Sequence, residues 1–200
     1  MAVLTEKKIR PKKTESFRYK FKVKDIEKMY QAGIFREDEK VELLNGEVYK
    51  LSPIGLRHAV VVDNLNKIFN RIILQNEELK DNYTVRVQNP VYIDVGNLPE
   101  PDISVVKNDY IKEKQHPKPK YIELIIEVSD TTLEKDRELK LPIYAKKKIK
   151  QVWIVDLSSN QIEVYTDPYK SEYLNMKIYP IDKKIKIFKK EISVKDILNV

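Results

Sequence analysis

The chain has 200 residues, 42% of them apolar and 9% aromatic, which is enough to bury one core. It has no cysteine and only two histidines, His58 and His116, so disulfides, thiol catalysis and cysteine-ligated zinc are excluded, and any metal must be held by oxygen. The net charge of +7 suits a polyanionic partner, because phosphate contacts supply most non-specific nucleic-acid affinity, although a Lys-rich solvated surface gives the same balance.

No apolar run of about 18 residues and no charged-then-apolar leader occurs, so a cytoplasmic chain without a membrane span is expected. Lysines gather in residues 6–15, 107–120, 145–150 and 183–190. The first group lacks periodicity, and residues 1–19 are expected to form a mobile basic arm ahead of one domain over residues 20–200.

Apolar residues at 26, 29, 30 and 34 predict a short amphipathic helix. "VELLNGEVYKLS" follows, two alternating runs joined by Asn45-Gly46, the strongest short-range hairpin signal because a type I′ turn needs positive φ at both central residues. A two-residue loop pairs Leu44 with Glu47 and Glu42 with Tyr49. From His58 to about Gln75, apolar residues at 61, 62, 65, 68, 69, 72 and 73 predict a long helix with one buried stripe. "YTVRVQNPVYIDV" alternates and predicts one strand, or two bent at Pro90. "PDISVVKN" and "YIELIIEVSD" are short, mostly apolar runs, as central strands covered on both faces are.

Thr131 or Thr132 can cap a helix through "LEKDRELKLPIYAKKK", which Pro142 must kink or divide. "QVWIVDLSSNQIEVYTD" predicts a hairpin around residues 158–160, "EYLNMKIYP" and "KIKIFKKEIS" further strands, and "VKDIL" a final helical turn. The order predicts an α/β or α+β domain with a mixed sheet.

Three residues fall together in this order: Asp102 at the start of a strand, Glu127 near the end of the next, and Lys140 on the helix that follows. An ionised carboxylate is costly in an apolar strand unless something compensates it. Two carboxylates and an ammonium suit a hard divalent cation with a phosphate beside it, and Mg²⁺ asks for only one or two protein carboxylates. Each residue alone also has a plain explanation: a turn aspartate, a glutamate emerging into solvent, an exposed Asp136–Lys140 pair on a helix.

Their joint order resembles the PD-(D/E)XK nuclease signature, and most closely the Uma family of restriction endonucleases. "ELLNGE", His58, "PDI", "IIEVSDTT", "DRELKLPIYA" and "VWIVD" occur here in that family's order, over residues from about 20 to 167. The resemblance implies a restriction-endonuclease-like mixed central sheet flanked by helices, with an N-terminal helix and hairpin. It implies metal binding by Asp102, Glu127 and the carbonyl of Val128, with Mg²⁺ as cofactor and Mn²⁺ as substitute. It further implies Glu47 as an acidic ligand through water and His58 as a positioning residue. One position departs from the superfamily pattern: Ser129 stands where Glu-x-Lys has lysine. In this family the lysine has moved to the helix, which makes Lys140 the substitute if its ammonium reaches the same space.

Two functions follow from this pattern. One is a Mg²⁺-dependent nuclease acting on nucleic acid, DNA in preference to RNA. The other is an inactive nucleic-acid-binding or scaffolding domain of the same fold, motivated by the absent strand lysine. Many nucleases of this fold cut both strands as homodimers, and the strands between 172 and 190 would offer an edge for such pairing.

Overall fold

The computed structural model describes residues 18–36 and 38–199. The arm expected over residues 1–19 lies outside them except for Arg18 and Tyr19.

Helix α1 (Val23–Gln31) leads into the hairpin of β1 (Val41–Leu44) and β2 (Glu47–Lys50). Its register is the one the turn dictates, Leu44 opposite Glu47 and Glu42 opposite Tyr49. Asn45 and Gly46 both have positive φ, 50° and 75°, as a type I′ turn requires. Gly46 also meets a close approach, because a Cβ there would lie 2.8 Å from the Cβ of Lys20.

Helix α2 (Leu56–Leu74) buries Val61, Val62, Leu65, Phe69, Ile72 and Ile73, the apolar stripe read from the sequence, with Ile68 partly buried at its border. Next come β3 (Tyr83–Val87), β4 (Ile103–Lys107) and β5 (Ile122–Ser129). The run after β3 does not continue as a strand. Gln88 takes φ 47°, and residues 91–98 make only isolated bridges, although Val91 and Ile93 are buried.

After β5 the chain is helical from 133 to 146, but in three pieces. A single turn, α3 (Leu133–Lys135), runs into a wider π turn (Asp136–Lys140) and then α4 (Leu141–Lys146). Pro142 has no amide to donate, and its ring clashes with the carbonyl four residues back, so the wide turn just before it absorbs the misfit. Thr132 stands at the N-cap, but its hydroxyl donates to Asp136 instead of accepting from the backbone.

The chain ends in β6 (Gln151–Asp156), β7 (Gln161–Tyr169), β8 (Glu172–Pro180), the hairpin β9 (Lys184–Ile187) and β10 (Lys190–Ser193), and α5 (Val194–Leu198). Strands β3 to β8 form one six-stranded sheet in chain order. Every neighbouring pair is antiparallel except β5 and β6, which are parallel and joined by the helical crossover. The hairpin β9–β10 forms a sheet of its own.

Both faces of the central strands are covered. Leu124, Ile126 and Val128 of β5 pack with Trp153 and the stripe of α2, and the Phe69 and Trp153 rings meet edge to face at 5.6 Å. Ile125, with Val152 and Ile154 of β6, packs against Leu141, Ile143 and Tyr144 of α4. Among the described residues no helix is long and apolar enough to cross a membrane.

Candidate active site

Side chains alternate along β5, so Glu127 and Ser129 share the face of Ile125, under the crossover helix. Glu127 is 3% exposed. Its Oε2 accepts from Lys140 Nζ at 3.0 Å and its Oε1 from Tyr144 Oη at 2.6 Å. Lys140 is equally buried, and its ammonium also lies 3.3 Å from Glu42 and 3.6 Å from Asp136. Asp136 in turn accepts from the hydroxyls of Ser129 and Thr132 at 2.8 Å each. Lys135 reaches the other oxygen of Glu42 at 2.5 Å.

Asp102 sits at the mouth of β4, beside the first turn of α2. Its Oδ2 accepts from the Val128 amide at 2.8 Å and pairs with His58 Nε2 at 3.2 Å. Its Oδ1 accepts from Gln88 Nε2 at 3.2 Å, and the Gln88 amide donates to the Asp102 carbonyl. The left-handed φ of Gln88 lets its backbone and its side chain serve one residue, a costly conformation of the kind functional sites retain. The Asp102 and His58 side chains keep 13% and 15% exposure, more than Glu127 and Lys140 do.

The electrostatics follow from crowding. Three fully buried carboxylates, Glu42, Glu127 and Asp136, surround one fully buried ammonium. Burial pushes the Glu127 pKa up to about 8; Lys140 opposes the rise, while Asp136, Asp102 and Glu42 add to it. Burial pushes Lys140 down, but Glu127, Glu42 and Asp136 outweigh it and leave the ammonium well above its ordinary range. Burial raises the Asp102 pKa, yet His58, the Val128 amide and Gln88 together hold it below the usual carboxylate value. Burial lowers the His58 pKa, but Asp102 and the Val128 backbone bring the net shift upward.

Of the residues singled out in the sequence, Glu127 and Lys140 belong to one buried group and Asp102, His58 and the Val128 amide to another; the two meet along the chain at Glu127–Val128, with no hydrogen bond or ion pair between their side chains among the described residues. Glu47 lies elsewhere: it pairs with Lys20 at 2.7 Å, accepts from Tyr49, and keeps 38% side-chain exposure. Glu42, on the other strand of the hairpin, enters the cluster instead, 1% exposed. Tyr144 and Gln88 were missed in the sequence. Tyr144 stands four positions after Lys140, a spacing that puts both on one helix face and could have flagged it. Nothing in the sequence marks Gln88.

Asp102 and Glu127 offer hard oxygen donors of the kind Mg²⁺ takes, and a carboxylate has lone pairs to spare beyond the two Glu127 uses on Lys140 and Tyr144. Burial first, and then the neighbouring Asp136, Asp102 and Glu42, disfavour the charged form of Glu127, and a cation beside it would favour that form. Among the described residues no group of three or more His, Cys, Asp or Glu side chains is arranged to hold a metal, so water or backbone oxygen would complete the shell.

A crystal structure of a "putative nuclease belonging to DUF820" from Anabaena variabilis ATCC 29413 is similar in fold, with a TM-score of 0.61 and 14% identity, over 80% of this chain and 89% of that one. No curated protein matches. The Uma2 family, described as "Putative restriction endonuclease", matches over residues 23–189, a span holding every residue of the cluster, and the chain belongs to that family.

Proposed function

We propose that the chain is a Mg²⁺-dependent nuclease that hydrolyses phosphodiester bonds of nucleic acid, DNA in preference to RNA. The observation that carries this reading is the position of Lys140. Ser129 occupies the place of the strand lysine and serves Asp136, while the Lys140 ammonium arrives from the crossover helix within 3.0 Å of Glu127. That contact favours a working site over a disabled one.

Asp102 and Glu127 would hold the cation. When bound, Mg²⁺ supplies Lewis acidity at the phosphate and lowers the pKa of the attacking water. His58 holds Asp102 ionised and oriented, with the Val128 amide and Gln88 as its other partners. Tyr144 fixes one oxygen of Glu127 so that the other faces Lys140. Lys140 places a permanent positive charge where negative charge on the transferring phosphate would develop.

The test is cleavage of supercoiled plasmid, single-stranded DNA and RNA with Mg²⁺ or Mn²⁺, using the wild type, Asp102→Asn and Lys140→Gln. Metal-dependent cutting that falls by about 10²-fold or more in both variants is expected. Thermal melting separates loss of chemistry from loss of fold, since removing one member of a buried ion pair costs about 3–5 kcal/mol. Salt-sensitive binding by the wild type without cutting under either metal would establish the binding-domain reading instead.

A further inference from the structure

A second feature on the α4 side of the sheet belongs to none of this chemistry. A cleft of about 920 Å³ opens between the start of α1, β3 and the loops around residues 92 and 114. Lys22, Lys24, Arg86 and Lys114 give it positive walls, Tyr92 and Tyr110 aromatic ones, and Glu27 is its one carboxylate among the described residues. Many lysines elsewhere are neutralised by ion pairs, Lys20, Lys40 and Lys118 among them. Among the described residues none of the four cations of the cleft has such a partner.

Arg86 is its centre. Nη1 donates to Tyr110 Oη at 3.0 Å, Nη2 donates to the Pro90 carbonyl at 3.3 Å, and the guanidinium lies 5.3 Å from the Tyr110 ring centroid. Its Nε is buried and has no hydrogen-bond partner. An unsatisfied buried donor is unfavourable, and an acceptor entering the cleft would relieve it. The cleft is tied to the candidate active site through three consecutive residues: Gln88 bonds Asp102, Asn89 lines the cleft, and Pro90 accepts from Arg86.

We infer that this cleft seats an unpaired segment of nucleic acid, its phosphates against Lys22, Lys24 and Lys114 and a base against the Tyr110–Arg86 pair. Flat π surfaces accept any base, and a guanidinium both stacks on a base and bonds to phosphate. A duplex buries its base faces and cannot use the aromatic walls, so a single strand is the better occupant. The inference rests on the reading of the chain as a nuclease for its choice of polyanion, but its test does not involve cutting.

The experiment is fluorescence anisotropy with a labelled oligothymidylate and a duplex of equal length, in EDTA, over a range of salt. Wild type, Lys24→Gln/Lys114→Gln, Arg86→Gln and Lys186→Gln are compared. The single strand should bind the wild type more tightly than the duplex does. The double variant should bind it about tenfold more weakly, with a log Kd against log salt slope shallower by about 1.4, for two lost phosphate contacts. Arg86→Gln should weaken oligothymidylate more than duplex, and Lys186→Gln, an exposed lysine on β9 outside the cleft, should bind as the wild type does. Unchanged affinity and slope in the double variant, or tighter duplex binding through the same residues, would overturn the inference even if the wild type cuts. Binding through the cleft by a protein that does not cut with metal would overturn the nuclease reading and leave the cleft standing.

Discussion

Glu127 lies on β5 between Ile126 and Val128, and its burial has a measurable consequence for pH. The unfolded chain ionises this group near 4.5, the folded one at about 8. Over that interval the folded state holds the extra proton, so the group's contribution to stability is complete below 4.5 and is lost as pH rises toward 8. The slope reaches about 1.4 kcal/mol per pH unit at its steepest. Urea unfolding at pH 5, 6, 7 and 8 should show this decline in metal-free protein, and Glu127→Gln should flatten it; an unchanged slope in the variant would assign the decline to other groups. Metal binding at Glu127 would also expel a proton, so adding Mg²⁺ to weakly buffered wild type near pH 7 should acidify the solution, and Glu127→Gln should not. At this scale the sequence was partly legible. A carboxylate inside "IELIIEVSD" demands a compensating partner, and Lys140 supplies it. That Glu42 and not Glu47 turns inward was not legible, because a two-residue hairpin fixes which residues pair but not how the twisted ribbon lies against the rest of the fold.

Among the elements, the strongly periodic ones were the readable ones. The stripe of α2 and the Asn45-Gly46 hairpin are dictated by spacing and turn chemistry, and both form as read. The π turn at Asp136–Lys140 was not readable in kind, because Pro142 announces a disruption without saying whether the helix kinks, breaks or widens. The early end of β3 at Val87 was hidden by sequence that alternates on past it, since the demands of Asp102 on Gln88 are tertiary. The packing of α2 on the sheet admits a direct test through Trp153, the only tryptophan. Phe69→Ala should cost about 3–5 kcal/mol, because both rings are fully buried and the void beside Trp153 cannot collapse. Denaturation followed by Trp153 fluorescence reads out the loss, and a cost under about 1 kcal/mol would show that α2 slides to refill the space.

For the molecule as a whole, the fold class was legible as a mixed sheet with helices, the order of strands within the sheet was not, and the outermost strand raises the question of partners. β8 ends the sheet, with Leu174, Met176 and Ile178 exposed along it at 65%, 53% and 44%. A nine-residue strand with one unpaired edge and an open apolar row is a surface that folded proteins ordinarily cover. A second copy meeting it antiparallel across a twofold axis would satisfy both edges at once. Sedimentation should then show a concentration-dependent dimer that Met176→Lys shifts toward monomer; a wild type that stays monomeric throughout the micromolar range would show that β8 remains free.

The ion cluster also dictates an order of events during synthesis. Glu42 is translated early, yet the two ammonium groups that hold it, on Lys135 and Lys140, emerge about a hundred residues later, about 5–20 s at ordinary ribosome speeds. Until the crossover helix arrives, a carboxylate destined for a dry interior must stay hydrated, so the hairpin cannot dock ahead of it. The hairpin of β1 and β2 should therefore remain protease-sensitive in the nascent chain until residues beyond Lys140 have left the exit tunnel.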